Sequence, residues 1–202
     1  SPDLAQSYNN IGVVYYEQRN YDKAIEFYDK ALQIREKVLN PLSPDLAGSY
    51  NNIGSVYSAQ KNYDKTIEFH YKALNIKEQV LNPLSPDLAR SYSNIGAVYL
   101  EIENYDKALE YYKRVVELAP VTEEGQSALA GIENIYQSQN RPDLFLAYLD
   151  NIGLSSVKSA DERENMLFNS AEQIFLSGNC TEALAALNAF IEKYPQAEKI
   201  AQ

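Results

Sequence analysis

The side chains in this chain whose types and spacing could do chemistry are amides. Asn10, Asn52 and Asn94 each stand two residues before a glycine (Gly12, Gly54, Gly96), and Asn9 and Asn51 sit beside the first two while Ser93 takes that place in the third. A carboxamide donates and accepts at once, so a row of them can pair with the backbone of an extended peptide whatever its side chains. The same row can instead bond neighbouring backbone between packed elements, and the residues alone leave both uses open. Catalytic chemistry has no comparable support. There is no Gly-rich phosphate loop, no Gly-x-Ser-x-Gly elbow and no His-Glu-x-x-His. His70 is the single histidine and Cys180 the single cysteine, which leaves no intrachain disulfide and no cysteine-based metal cluster. Cys180 falls in a turn or the first turn of a helix and reads as a structural thiol. Asn179-Cys180-Thr181 matches a glycosylation sequon, a pattern common by chance. The expectation is a non-enzymatic chain that needs no cofactor and no metal.

Charge narrows the partners. The net charge is −10, whereas nucleic-acid binding needs a basic footprint, so no nucleic acid is expected. Residues 1–120 carry 13 basic and 16 acidic side chains and residues 121–202 carry 5 and 12, so the second half is the more acidic and reads mainly as a solvated surface. No apolar run is long enough to span a bilayer, and no membrane insertion is expected. The chain opens on Ser1 at a repeat junction and reads as a piece of something longer.

The elements that must position the asparagines are said three times. "SYNNIGVVYYEQRNYDKAIEFYDKAL" from Ser7 returns as "SYNNIGSVYSAQKNYDKTIEFHYKAL" from Ser49 and as "SYSNIGAVYLEIENYDKALEYYKRVV" from Ser91. Each copy predicts two helices. Ser-Pro-Asp at 1–3, 43–45 and 85–87 starts the first, with Ser as N-cap, Pro in the first helical position and Asp against the positive end. That helix runs to about Gln18, Gln60 and Ile102. "RNYD", "KNYD" and "ENYD" form the turn, with Asn expected in the left-handed conformation. The second helix starts near Asp22, Asp64 and Asp106. Its apolar residues in the first copy (Ala24, Ile25, Phe27, Tyr28, Ala31, Leu32) follow helical spacing. "NPL" at 40–42 and 82–84 then ends it, because a residue before proline is pushed out of the helical region.

This pattern resembles the tetratricopeptide repeat. The first copy presents its signature as Tyr8, Ile11, Gly12, Tyr15, Ala24, Tyr28 and Ala31. The second presents Tyr50, Ile53, Gly54, Tyr57, Thr66, His70 and Ala73, and the third Tyr92, Ile95, Gly96, Tyr99, Ala108, Tyr112, Val115 and Pro120. Thr66 and Val115 depart from the small alanine. The 42-residue length is similar to that of kinesin light chain repeats and of many bacterial arrays. The resemblance implies an all-α superhelix, a solenoid of stacked antiparallel hairpins. It places His70 in the packed interior and turns the first helix of each unit toward a concave groove. Kinesin light chain repeats are similar in using groove asparagines to hold peptide. The groove candidates are therefore Asn9, Asn10, Tyr16, Asn51, Asn52, Ser55, Arg90 and Asn94, with Tyr16 as an aromatic platform and Arg90 for a carboxylate. Gln6, Val13, Glu17, Ser58, Ala97, Leu100 and Glu101 complete the expected lining. Repeats that clamp chaperone tails carry Lys three residues before the glycine and Asn directly after it. Those places hold Asn9 and Val13, Asn51 and Ser55, Ser93 and Ala97, so chaperone-tail binding is not expected.

Beyond Pro120 the sequence changes character: 14 of the 17 tyrosines precede it. The expected organisation is three repeats in 1–120 (1–42, 43–84, 85–120) and two further hairpins in 121–202. One is degenerate, at about 121–154 (Leu129, Ile132, Tyr136, Phe145, Leu149). The other, at about 161–195, keeps Leu167, Ala171, Ile174, Ala183, Leu187, Phe190 and Pro195 in register, with Asn169 at the place of Asn10. A stretch of Ser, Lys and Asp at 155–161 separates them. The leading expectation is a protein-interaction scaffold holding a peptide segment of a partner. The alternatives are a structural spacer that self-associates through its array ends, or a regulatory segment of a larger bacterial multidomain protein. The compartment stays open between the cytoplasm, slightly favoured, and the periplasm or cell envelope.

Overall fold

The structure is a computed structural model and describes residues 1–197. The chain is all-α, with no strand among the described residues. Its helices run α1 (Pro2–Glu17), α2 (Tyr21–Val38), α3 (Pro44–Ala59), α4 (Tyr63–Val80), α5 (Pro86–Glu101), α6 (Tyr105–Leu118), α7 (Glu123–Ser138), α8 (Pro142–Asn151), α9 (Ala160–Leu176) and α10 (Cys180–Lys193), with a 3-10 turn at Ser155–Val157. Two compact units share them, Ser1–Leu129 and Ala130 onward, and the division falls inside α7.

In the first unit α1 pairs with α2, α3 with α4 and α5 with α6, and α2 packs on α3 as α4 packs on α5. The starts are those the residues dictate. Ser43 and Ser85 Oγ accept from Asp45 and Asp87 N–H at 3.3 Å, with proline in the first turn. The hairpin turns differ from expectation at one residue. The left-handed position is held by Arg19, Lys61 and Glu103 (φ 57° each), not by the asparagines that follow them. Asn20, Asn62 and Asn104 are N-caps instead, each side chain accepting from the Lys N–H three residues on. Arg19 N–H reaches Tyr16 O at 2.8 Å and Asn20 N–H reaches Tyr15 O at 2.9 Å, the doubled closure of a Schellman end. One side chain cannot serve both sites: a cap needs extended-side backbone, so the strained conformation passes to the residue before.

The core between paired helices is small-to-large. Ala24 and Ala108 are fully buried, and Tyr28 and Tyr112 are buried beside them in sequence register. Thr66, the departure in the second repeat, is also fully buried, and its hydroxyl donates to Asn62 O at 2.9 Å, which settles its polar atom. Glycine is required where the helices meet: a Cβ on Gly12 would lie 2.6 Å from the Tyr28 ring, and one on Gly54 2.9 Å from His70 Nδ1. One aromatic pair recurs per repeat, Tyr15–Phe27, Tyr57–Phe69 and Tyr99–Tyr111, stacked at 5.4, 5.6 and 5.7 Å between centroids. The long second helices end as the prolines predict, with Leu39 and Leu81 extended. Asn40 and Asn82 then close the junction by accepting from Leu42 and Leu84 N–H at 2.9 Å.

The second unit packs α9 on α10 and α8 on α9. The polar stretch before α9 is a capping box: Ser159 Oγ accepts from Glu162 N–H at 3.2 Å, and Glu162 accepts from Ser159 N–H at 2.8 Å. Phe145, Leu149, Ala171, Ile174, Ala183 and Phe190 are buried as the register predicts. Cys180 opens α10 and is exposed.

Candidate functional site

One groove of the first unit is an open hollow of about 570 Å³ whose walls come from three hairpins. α1 supplies Tyr16, α3 supplies Ser55, Ser58 and Ala59, and α5 supplies Asn94, Ala97 and Glu101. Small side chains on α3 create the depth, since Ser55 and Ser58 are half-buried and rise little above the helix. Lys61, Tyr63 and His70 also line it, brought in by the second hairpin's turn and second helix. The sequence reading missed Lys61 and Tyr63 as lining groups because it drew the groove from first helices alone. The turn signal "KNYD" was the cue available.

The predicted amides divide between two roles. Asn52 Nδ2 donates to Asn9 Oδ1 at 2.8 Å, so these two half-buried amides tie α3 to α1. Asn51 Oδ1 lies 3.3 Å from His70 Nδ1 and ties α3 to α4. Asn10 is exposed and accepts from Gln6 Nε2 at 2.9 Å. Asn94 is exposed in the groove itself. Tyr16, Ser55 and Asn94 are thus brought into one hollow, while Asn9, Asn51 and Asn52 are engaged between helices. Arg90 stands outside that lining. It pairs with Asp87 at 3.5 Å and Glu124 at 3.4 Å, because it lies one turn beyond Asp87 on α5 and within reach of Glu124 at the start of α7. Asn169 belongs to the second unit, in a shallow hollow of about 260 Å³ with Met166 and Gln173.

His70 is 5% exposed. Burial pushes its pKa down to about 4, with the Lys77 charge adding to the effect, so the imidazole is neutral at neutral pH. The tautomer that satisfies the Asn51 Oδ1 contact is the one with its proton on Nδ1.

A buried cation holds the first two hairpins together, and the sequence reading did not single it out. Arg35, 8% exposed, donates to Ser49 Oγ at 2.7 Å, to Gln6 Oε1 at 2.9 Å and to Asp45 O at 3.2 Å. Lys77 repeats the contact on the next hairpin, donating to Ser91 Oγ at 2.9 Å. Burial lowers its pKa, while Asp87 opposes the shift. The signal was the equal register of Arg35 and Lys77.

Further hollows lie in both units. In the first unit one of about 590 Å³ includes Tyr71, Tyr92 and Tyr111. Its hydroxyls are already engaged, Tyr71 with Tyr99 and Tyr111 and Tyr92 with Glu78. In the second unit a hollow of about 360 Å³ has an apolar floor (Leu167, Ile174, Phe190 and alanines of α10) and a charged rim. Among the described residues no group of three or more His, Cys, Asp or Glu could hold a metal ion, and no helix is long and apolar enough to cross a membrane.

Comparison with known proteins agrees with this architecture. Two family models, each described as a tetratricopeptide repeat, match, one over residues 3–64 and 45–120 and the other over 166–197. No match was found among the curated proteins. Among solved structures, the nearly identical TPR-like repeats of a kinesin light chain described from Podosopora anserina align at 16% identity. They cover 98% of this chain and 99% of that one with a TM-score of 0.62. BtubC (BKLC) from P. vanneervenii aligns at 21% identity over 89% of this chain and 66% of that one, TM-score 0.58. The first TPR of Spaghetti (RPAP3), solved with an HSP90 peptide, aligns at 24% over 69% and 95%, TM-score 0.52. At these identities the structures establish the fold, and the repeat models establish the family: the chain belongs to the tetratricopeptide repeat family.

Proposed function

We propose that this chain is a non-enzymatic protein-interaction scaffold that holds an extended peptide segment of a partner in the groove of its first unit. The observation that carries the reading is the groove itself: a hollow of about 570 Å³ built by three successive hairpins and walled by Tyr16, Ser58, Asn94 and Glu101. Its walls stand on packed helices, so binding orders mainly the peptide and the entropic cost falls on one partner. Exposed Asn94 offers a donor and an acceptor to a peptide backbone. The tetratricopeptide neighbour solved with an HSP90 peptide supports peptide binding as a use of this fold. The ligand here is of a different kind, because Asn9, Asn51 and Ser93 occupy the places where a basic clamp would sit.

The test is a display screen of random peptides against the chain and against Ala97→Trp, which fills the groove from an exposed position of α5. Binders lost in the variant, with helical content and melting unchanged, are expected. Binders held equally by both proteins would refute groove recognition.

A second reading has its own observation. α1 leaves Leu4 and Val14 45% and 54% exposed, an apolar face that a second copy or a further hairpin can cover. Sedimentation of the chain beside Leu4→Glu/Val14→Glu decides it: association that the double variant abolishes would make self-assembly a function of this face.

A further inference from the structure

The groove is not uniform along the repeats. At equivalent positions of the first helices, repeat one carries Val13, Tyr16 and Glu17 and repeat three carries Ala97, Leu100 and Glu101, whereas repeat two carries only Ser55, Ser58 and Ala59. The large side chain beneath changes as well. Tyr28 and Tyr112 serve the outer repeats, but His70 takes that place in the middle and lines the hollow. Truncation above and exchange below make a socket at the second repeat.

The groups around that socket are weighted toward acceptors, with the donors of Asn94 and Lys61 elsewhere in the lining of the hollow. In the tautomer that satisfies the contact, His70 uses its Nδ1 proton toward Asn51 Oδ1 at 3.3 Å. Ser55 Oγ donates to Asn51 O at 3.0 Å, so its lone pairs are what remains. Tyr63 Oη directs its proton at Glu101 Oε2 across 3.5 Å. Glu101 adds a carboxylate, and Tyr16 adds an aromatic face. With those protons directed inside the protein, Ser55 Oγ and the Glu101 carboxylate are left as acceptors for a group that enters.

Resting on the reading that the groove holds a peptide, we propose that this socket takes an arginine side chain of the bound segment. A guanidinium has only donors, in a planar fork suited to a carboxylate, and it stacks on aromatic rings. Lysine matches the charge but neither the fork nor the stacking. A carboxylate would meet lone pairs and Glu101. Lys61, the one cation among the lining side chains other than the neutral imidazole, stands at the turn. It opposes a second positive charge, so the preference is for a single arginine rather than a basic run.

The experiment selects a phage-displayed random peptide library on the chain, on Ala97→Trp, on Glu101→Gln and on His70→Tyr, with circular dichroism to verify folding. Glu101 is exposed, and tyrosine already fills the place of His70 in both flanking repeats, so these variants keep the core. The expected result is arginine enrichment at one aligned position. Replacing that arginine by glutamine in a synthetic peptide, or Glu101 by Gln in the protein, weakens binding by about tenfold, the scale of one charge-assisted hydrogen bond. The two changes together cost little more than either alone, because they remove the same contact. Binders that depend on the groove, being lost in Ala97→Trp, yet lack arginine or ignore Glu101→Gln, overturn the arginine assignment and leave the groove reading standing. Binders indifferent to Ala97→Trp, or no binders at all, overturn both.

Discussion

Replacing His70 by tyrosine is expected to make the protein less sensitive to acid. His70 is 5% exposed and its pKa is pushed down from 6.5 to about 4, chiefly by burial. In the unfolded chain the same ring takes up a proton below its ordinary pKa. Between those two values the unfolded state therefore binds a proton that the folded state refuses, and stability falls as pH falls from about 6.5 toward 4. With these values the loss is about 2 kcal/mol near pH 5 and levels off at about 3 kcal/mol below the folded pKa. Tyrosine titrates nowhere in that window and fits the site, since Tyr28 and Tyr112 are buried in the equivalent places. The assay is thermal unfolding of both proteins at about pH 7.5 and about pH 5, where a difference of about 2 kcal/mol corresponds to roughly 4–8 °C in Tm. Carboxylates held low by lysine partners, such as Glu26 and Glu68, also lose stability on acidification, but they do so equally in both proteins. The informative quantity is thus the difference between the two acid shifts. Equal shifts in wild type and variant would refute a neutral, buried His70.

Three further outcomes follow from the packing. Gly12→Ala sets a Cβ 2.6 Å from the Tyr28 ring and is expected to lose about 1–3 kcal/mol in denaturant unfolding, whereas Gly48→Ala meets nothing within 4 Å and is expected to gain about 0.5–1 kcal/mol. Arg35→Ala strips the buried partner from Ser49, Gln6 and Asp45 O and is expected to lose about 2–4 kcal/mol. Lys77→Ala, at a half-buried site with fewer close contacts, is expected to lose less in the same measurement. Arg19→Gly removes a non-glycine residue from a left-handed site (φ 57°) and is expected to raise stability by up to about 1 kcal/mol, read as a rise in Tm.

The helices, their starts and their stops were legible because local rules decide them. Ser-Pro-Asp, the Asn-Tyr-Asp turn and Asn-Pro-Leu each act within four residues, and the buried Ala24, Tyr28, Ile53 and Val115 follow from helical spacing. Even here one assignment shifted. Two rules both favour asparagine, as N-cap and as left-handed residue, and only geometry shows that Asn20 takes the first and Arg19 the second. The groove was less legible. Tyr16, Ser55 and Asn94 could be placed from the first-helix register, but Asn52 turned to Asn9 and Arg90 to Glu124. Those choices are made across hairpins, where the partner is many residues away and no local signal specifies it.

That division has a consequence for how a repeat protein stores its function. Stacking needs the same groups in every unit: Gly12, Gly54 and Gly96 to let helices meet, and Tyr15, Tyr57 and Tyr99 to stack on the next helix. These repeated positions are accounted for by packing. A ligand's side chains are not periodic in the same way, so the groups that select among them are expected where the copies disagree, leaving a repeated group such as Asn94 for the peptide backbone. In the first unit a group of these differences meets on one hollow: Ser58 against Tyr16 and Leu100, Ala59 against two glutamates, and His70 between two tyrosines. Others lie outside it, such as Gln6, Gly48 and Arg90 or Asp29, Tyr71 and Lys113. Because the first group shares a hollow that a peptide can reach, the second repeat is where selective recognition should be sought.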